Sequence, residues 1–508
     1  MTIERPPEIG GGGGRTAQGF GGLPELDRRQ FLVGAAGGAI LLRLPPEVAG
    51  VPSRALRELR SAVRGRVLVP HDSTRLVYNR RFEGTRPDAV VLAESTADVA
   101  AVVRWANRFD VRVVARSGGH SYAGYSTTSD GVVIDLSRLR GVSVSNGRAR
   151  VGPGAQLIDV QRALTRRGLT VPSGSCPSVG IAGLALGGGH GLAGRRFGLT
   201  SDNLMAARVV TADGRVRHVD ADTNEDLYWA CRGGGGGNFG IVTSLTLRPH
   251  RAPGAAWFSV SWPWSQADEA LAAWQRFAPE APPALTSIFS LGTTGGSGSP
   301  RVAALGQYFG GPTALRRLTR PLTRVAGASL SSGSSSYFSL VLRWAGCLGD
   351  AGACHRSTRS SFFAKSDYFD KRLGPRARAT MIDWIERRQR NPSLGSGALL
   401  LDAYGGALNR PAADATAFVH RDMLFSLQYL AYFNGGVAGG ASRHWINGVW
   451  RALRPHASGE AYQNYIDPQL EGWQRAYYGT NLERLREIKK QVDPDFRFRF
   501  RQAIAPAR

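Results

Sequence analysis

His120 and Cys176 stand out as the side chains most able to do chemistry, because each is set in a run of glycines. Cys176 lies near the start of residues 171–204, VPSGSCPSVGIAGLALGGGHGLAGRRFGLTSDNL, a stretch with nine glycines and no charge before Arg195. Glycine admits positive φ and lets another group come close to the backbone. Exposed N–H groups in such loops form anion-binding concavities. The stretch therefore reads as a loop wrapped around a phosphate-bearing ligand, with Cys176 at its mouth between Ser175 and Pro177. Upstream, Arg116-Ser117-Gly118-Gly119-His120-Ser121 repeats the pattern with a histidine. Downstream, residues 232–241, RGGGGGNFGI, repeat it with neither. Residues 187–191 read GGGHG, which lacks the G-x-G-x-x-G spacing, and Asp202 comes too early to hold a ribose, so a nicotinamide domain is rejected. Zinc spacing is absent; so are a Ser-His-Asp set and paired carboxylates near a motif.

Three glycine loops in this order, with His in the first and Cys in the second, resemble the FAD-binding domain of the berberine-bridge-enzyme-like flavin oxidases, in the vanillyl-alcohol-oxidase, PCMH-type class. The likeness runs over residues 82–504 and is strongest in these loops and at the C-terminus. It implies FAD attached twice, through the 8α-methyl to His120 and through C6 to Cys176. It further implies that Arg116, Ser117, Gly118, Gly119, Ser121, Gly174, Ser175, Gly180, Gly183, Gly188, Gly191, Asn203, Gly237, Gly240, Ile241 and Val242 line the cofactor. Val179 matches the position where a small side chain leaves room for O2. Tyr462-Gln463-Asn464-Tyr465 matches Y-x-N-Y, with Asn464 expected on the flavin.

Oxidising an alcohol or amine removes a hydride from carbon and a proton from O or N, so the protein must supply a base beside the flavin. The resemblance makes Tyr462 that base and Tyr404, in Asp402-Ala403-Tyr404-Gly405-Gly406, a second tyrosine near the substrate. An unperturbed tyrosine titrates near ~10, so its phenolate needs neighbouring cations or donors; the arginine-rich composition offers cations. His190 reads as a backbone brace rather than a catalyst. The reading that follows is an oxidase acting on an alcohol, sugar or secondary metabolite and passing electrons to O2 to give H2O2. Two alternatives stay open: a dehydrogenase of the same family that avoids O2, and a non-catalytic flavoprotein sequestering a small aromatic ligand.

The elements that must position these residues read as α+β: a two-lobed PCMH-type FAD-binding domain over residues 82–250, then a substrate domain over 251–455 with an antiparallel sheet flanked by helices, then a C-terminal segment over 456–508 returning to the FAD domain. Ser95 caps a helix whose Val99, Val102, Val103 and Ala106 share one face. Residues 111–115 read as a strand feeding the R-S-G-G-H loop. Asn146-Gly147 and Asp213-Gly214 mark hairpins, and Gly168 closes a helix over 156–167. Residues 257–264 alternate like a strand and 266–277 read as an amphipathic helix.

A chain of 508 residues is long enough for two or three domains. The formal net charge of +25 comes almost wholly from arginine, lysine occurring only at 365, 371, 489 and 490. The arginines are scattered and no nucleic-acid signature appears, so a solvated basic surface is expected and no nucleic acid. No apolar run is long enough for a membrane span. Residues 1–45 read as a targeting region: Arg28-Arg29, Phe31 and a short apolar run resemble a twin-arginine export signal, which implies export machinery as a partner and a secreted or periplasmic location. Cys347 and Cys354, seven apart, are either a disulfide, as an oxidising compartment permits, or two free thiols. Cys231 reads as a buried inert thiol.

Overall fold

The computed structural model describes residues 50–508 except 70–76, 253, 295–297, 351, 357 and 358, so the expected signal region lies outside the described residues. Strands β1 (Arg66–Leu68), β2 (Ala89–Leu92), β3 (Val113–Arg116) and β4 (Val132–Asp135) form a sheet in the order β1-β2-β4-β3, parallel except for β1. The Thr96–Phe109 helix covers it. Ser95 Oγ accepts the Asp98 N–H at 3.1 Å, and Val99, Val102, Val103 and Ala106 enter the core on the face their spacing predicts.

The second lobe is antiparallel. Strands β5 (Val142–Ser145) and β6 (Arg148–Val151) are joined by Asn146 and Gly147, at φ 48° and 69°. Positive φ at both positions is what a two-residue type I′ turn needs. After the short β7 (Leu169–Thr170), strands β8 (Leu204–Val210) and β9 (Val216–Asp220) make the hairpin read at Asp213-Gly214, and β10 (Ile241–Leu247) completes the order β5-β6-β10-β8-β9. Strand β11 (His250–Arg251) pairs back onto β7.

The substrate half is one antiparallel sheet of seven strands: β12 (Gly254–Trp262), β13 (Leu285–Gly292), β14 (Arg301–Tyr308), β15 (Ser329–Ser336), β16 (Ser361–Phe369), β17 (Gly397–Ala403) and β18 (Phe425–Phe433), ordered β15-β12-β14-β13-β17-β18-β16. Side chains on a strand alternate between faces. Phe369, Leu399, Leu401, Ala403, Phe425, Leu427 and Tyr429 enter the core beneath the helices Ala267–Phe277, Pro375–Gln389 and Gly436–Leu453. Paired residues across the strands share a face. Ile288, Asp402, Ser426 and Tyr368 therefore form one row on the opposite face, beside a second row holding Ser290, Leu400, Gln428 and Ser366. That uncovered face is where the C-terminal segment and the glycine loops meet the sheet: Ser366 Oγ accepts the Tyr462 N–H at 2.9 Å and Gln428 Nε2 donates to Tyr122 Oη at 2.8 Å.

The chain end then crosses to the second lobe. Helices Trp473–Tyr478 and Leu482–Val492 pack Tyr477, Tyr478, Leu485 and Ile488 against its core. Cys347 and Cys354 form a disulfide, and Cys231 is free and buried. Among the described residues no helix is long and apolar enough to cross a membrane, and no cluster of metal-binding side chains occurs.

Candidate active site

Strand β3 delivers the first glycine loop directly. Arg116, at its last position, is buried and pairs with Asp135 at the end of β4, 2.8 Å away. This ion pair pins the loop from below. The first two glycine loops then press together. A Cβ on Gly118 would lie 2.3 Å from Gly180 N, and one on Gly180 would lie 2.0 Å from Ser117 Oγ. Real Cβ contacts are never that short, so glycine is required at both positions for the loops to meet. Gly191 is held likewise against Ser173 O.

The meeting of these loops leaves donors without partners. None of the backbone N–H groups of Ser117, Gly118, Gly119, His120 and Ser121 donates to an acceptor among the described residues. Successive free N–H groups in a glycine turn form a nest for an anion, and this one fits the diphosphate of FAD. His120 stands at its edge, its ring stacked on Tyr78 at 4.0 Å and its Nε2 3.0 Å from Ser178 Oγ. Burial lowers its pKa to about 4, so the imidazole is neutral. Ser175 and Cys176 are open to solvent. Surrounding protein nevertheless raises the Cys176 thiol, and a Cys176 thiolate would disfavour ionisation of Tyr78, Tyr122, Tyr432 and Tyr465. His120 and Cys176 thus both stand near Tyr78. Val179 is half-buried against the second-lobe core, and Gly174 and Gly183 meet nothing closer than 3.8 Å. Gly237, at φ 82°, has only Phe500 nearby, at 3.6 Å.

Other expected cofactor residues belong to the scaffold. Asn203 donates to Phe197 O at 2.9 Å and Leu199 O at 2.7 Å, while its Oδ1 meets His250 Nε2 at 2.6 Å. That leaves its amide no free hydrogen for a flavin. Gly240 is glycine because a Cβ would strike Val210 O at 2.6 Å. Ile241 and Val242 are β10 residues whose side chains fill the first- and second-lobe cores.

The tyrosines divide differently from the sequence expectation. Tyr462 is 2% exposed, and its hydroxyl oxygen accepts the Gly189 N–H at 2.8 Å and Asn464 Nδ2 at 2.9 Å. Burial raises it to about 12 against these donors. Asn464 gives its other hydrogen to Leu184 O at 2.9 Å. Tyr462 therefore clips the GGGHG loop to the C-terminal segment. Tyr404 is fully buried, its hydroxyl 2.9 Å from that of Tyr368. The open hydroxyl is that of Tyr465, which the sequence reading quoted but gave no role. It is half-buried, stacked parallel on Tyr122 at 5.4 Å, and without a hydrogen-bond partner among the described residues. Burial, then Tyr122 and Asp402, push its pKa well above the ordinary value. Asp402 is the second residue missed. On the row of β17 that faces away from the helices, it is half-buried and raised by burial to about 7, and no hydrogen bond among the described residues holds its carboxylate. A carboxylate within a Y-G-G run was visible in the sequence; only the strand register shows which way it faces. Against burial, the main support for the Tyr462 hydroxyl comes from the donors Asn464, Gly189 and His190 rather than from the expected cations.

Residues 87–220 match the FAD binding domain family, and residues 461–505 match the berberine and berberine-like family. The FAD-linked oxidoreductase YgaK of Bacillus subtilis is 34% identical over 429 residues, spanning 83% of this chain and 92% of that protein. A chitooligosaccharide oxidase of Gibberella zeae is 29% identical, spanning 92% and 98%. The solved structure of Physcomitrella patens BBE-like 1 superposes with a TM-score of 0.82 at 30% identity, covering 89% of this chain and 99% of that one. A two-lobed domain with a nest of free N–H groups and these relatives agree: the chain is an FAD-dependent oxidoreductase and belongs to the berberine-bridge-enzyme-like family.

Proposed function

We propose that this protein is an exported oxidase that removes a hydride from a hydroxyl-bearing carbon of a carbohydrate and passes the electrons to O2, with FAD tethered at His120 and Cys176. The observation that carries the reading is the free Tyr465 hydroxyl, close enough to an unpaired Asp402 and to Cys176 for the charge of either to act on it. Bound FAD supplies the hydride acceptor. The substrate hydroxyl loses its proton to Tyr465 as the hydride leaves. Because Tyr465 is itself a protonated phenol, it releases its own proton to the Asp402 carboxylate, which titrates near neutrality, as it takes the one from substrate, so the pair acts as one base. Tyr462 and Asn464 keep the GGGHG loop in place beneath. A non-catalytic binder needs no such base, which weighs against that alternative.

The sugar class is supported by two relatives named as oxidases of chitooligosaccharide and of carbohydrate. Val179 beside Cys176 is the feature favouring O2 over another acceptor. Export is supported by Arg28-Arg29 in the sequence and by the Cys347–Cys354 disulfide, which an oxidising compartment preserves. The test is a peroxide assay over glucose, cellobiose and N-acetylated chitooligosaccharides, run beside simple alcohols and amines. Peroxide released with a sugar is expected. Flavin reduction without peroxide would make the protein a dehydrogenase, and no reduction by any sugar would remove the substrate reading. Acid precipitation is expected to leave the yellow colour in the pellet, and to release it from a variant lacking both His120 and Cys176.

A further inference from the structure

His190 is the one side chain in the GGGHG run, and the loop backbone fixes where it goes. Gly188 and Gly189 take φ of 115° and 84°, and Gly191 sits where a Cβ would overlap Ser173 O. The imidazole is thereby held among three tyrosines, with ring centroids 4.9 Å from Tyr462, 5.8 Å from Tyr465 and 5.9 Å from Tyr404. It is 8% exposed, and Nε2 is buried without a hydrogen-bond partner. The neighbouring hydroxyls do not serve it: Tyr462 is engaged by Gly189 and Asn464, and Tyr404 by Tyr368. A buried polar atom is nearly always satisfied, and an apolar ring of the same size would fill this space without the cost of an unmet hydrogen bond.

We infer that His190 is a substrate-binding residue that hydrogen-bonds a hydroxyl or amide of the bound carbohydrate, beside the carbon that is oxidised. The inference rests on the sugar reading above. Its geometric basis is that His190 packs edge-on against Tyr465, whose hydroxyl has no partner among the described residues, with 5.8 Å between ring centroids. Burial lowers its pKa to about 4, so it presents one donor and one acceptor and no charge. That suits a neutral polyhydroxyl compound and disfavours a carboxylate, which wants a cation, and an ammonium, which wants an anion.

The test uses full-length flavin-loaded protein with cellobiose as substrate and cellobiitol as an unreactive ligand read by perturbation of the flavin spectrum. His190→Phe keeps a ring in the space and removes both nitrogens; His190→Gln restores a donor and an acceptor. His190→Phe is expected to keep its flavin content, Tm and O2 reactivity, while KM for cellobiose and Kd for cellobiitol rise about 10-fold or more, the size of one lost hydrogen bond. His190→Gln is expected to recover most of that loss. Should His190→Phe fail to fold, His190→Gln alone decides: affinity within about twofold of wild type supports the inference, and a loss of about 10-fold or more overturns it. Unchanged KM and Kd in His190→Phe overturn the inference while leaving the sugar reading intact. Wild-type flavin that no carbohydrate reduces overturns both.

Discussion

Tyr465 and Tyr462 are three residues apart, yet removal of their hydroxyls is expected to do different things. Tyr465→Phe removes a hydroxyl that has no hydrogen-bond partner among the described residues. Flavin reduction should slow by about 10²–10⁴-fold, the usual size of general-base loss, while Tm and flavin content stay at wild type. Tyr462→Phe instead leaves the Gly189 N–H and an Asn464 hydrogen buried without an acceptor. Such loss costs about 1–3 kcal/mol, so Tm should fall. Stopped-flow reduction beside a thermal melt separates the two, and a slow Tyr462→Phe with an unchanged Tm would return the base to Tyr462. Asp402 adds a pH dependence. A base must be deprotonated to accept a proton, so kcat/KM should rise as pH passes about 7, where Asp402 titrates, and Asp402→Asn should abolish that rise. Both tyrosines were visible in Y-x-N-Y, but their division of labour was not. It depends on an N–H from Gly189, 273 positions away, and no local spacing encodes that contact.

Among the elements, the glycine loops are where the sequence was most legible, since glycine requirements come from backbone conformation and close approach. The hairpins at Asn146-Gly147 and Asp213-Gly214 and the Ser95 cap were readable for the same reason: each rests on one local interaction. The loop-to-loop contact gives a direct test. Gly180→Ala must displace Ser117 or Gly118, opening the nest of free N–H groups. The ratio of flavin to protein absorbance after purification should fall well below wild type, with Gly141→Ala, which meets nothing within 4 Å, as the unaffected control. Equal flavin in both would mean that the nest is not where the cofactor binds. The seven-stranded sheet was harder to read. Strand β17, GALLLDA, carries leucine on both faces at 399, 400 and 401, so its alternation does not reveal that one face meets helices and the other the site. Asp402 remained hidden for that reason.

At the scale of the whole molecule, the chain end packs on the second lobe, and the clamp that secures it there was not legible in the sequence. Its centre is Lys489, one of four lysines in a chain whose basic residues are otherwise arginine. Lys489 is fully buried, and its Nζ donates to Asp493 Oδ2 and Asn238 O, each at 2.5 Å, and to Phe498 O at 2.9 Å. Asn238 belongs to the third glycine loop, and its Oδ1 also accepts the Ile504 N–H at 2.9 Å. One ammonium thus joins the FAD domain to the chain end that carries Tyr462 and Tyr465. Breaking a buried ion pair from one side costs about 3–5 kcal/mol, because the remaining charge is left uncompensated. Lys489→Met is expected to lower Tm and flavin content together, since the third glycine loop loses its anchor as the helix loses its partner. Adding Asp493→Asn removes the stranded charge and keeps one acceptor oxygen, enough for one of the two N–H groups, those of Arg497 and Phe498, that separate Asp493 oxygens accept at 2.6 Å and 2.9 Å. The double variant should therefore melt above Lys489→Met and below wild type. A double variant no more stable than the single one would show that the loss comes from the donors to Asn238 and Phe498 rather than from the buried charge.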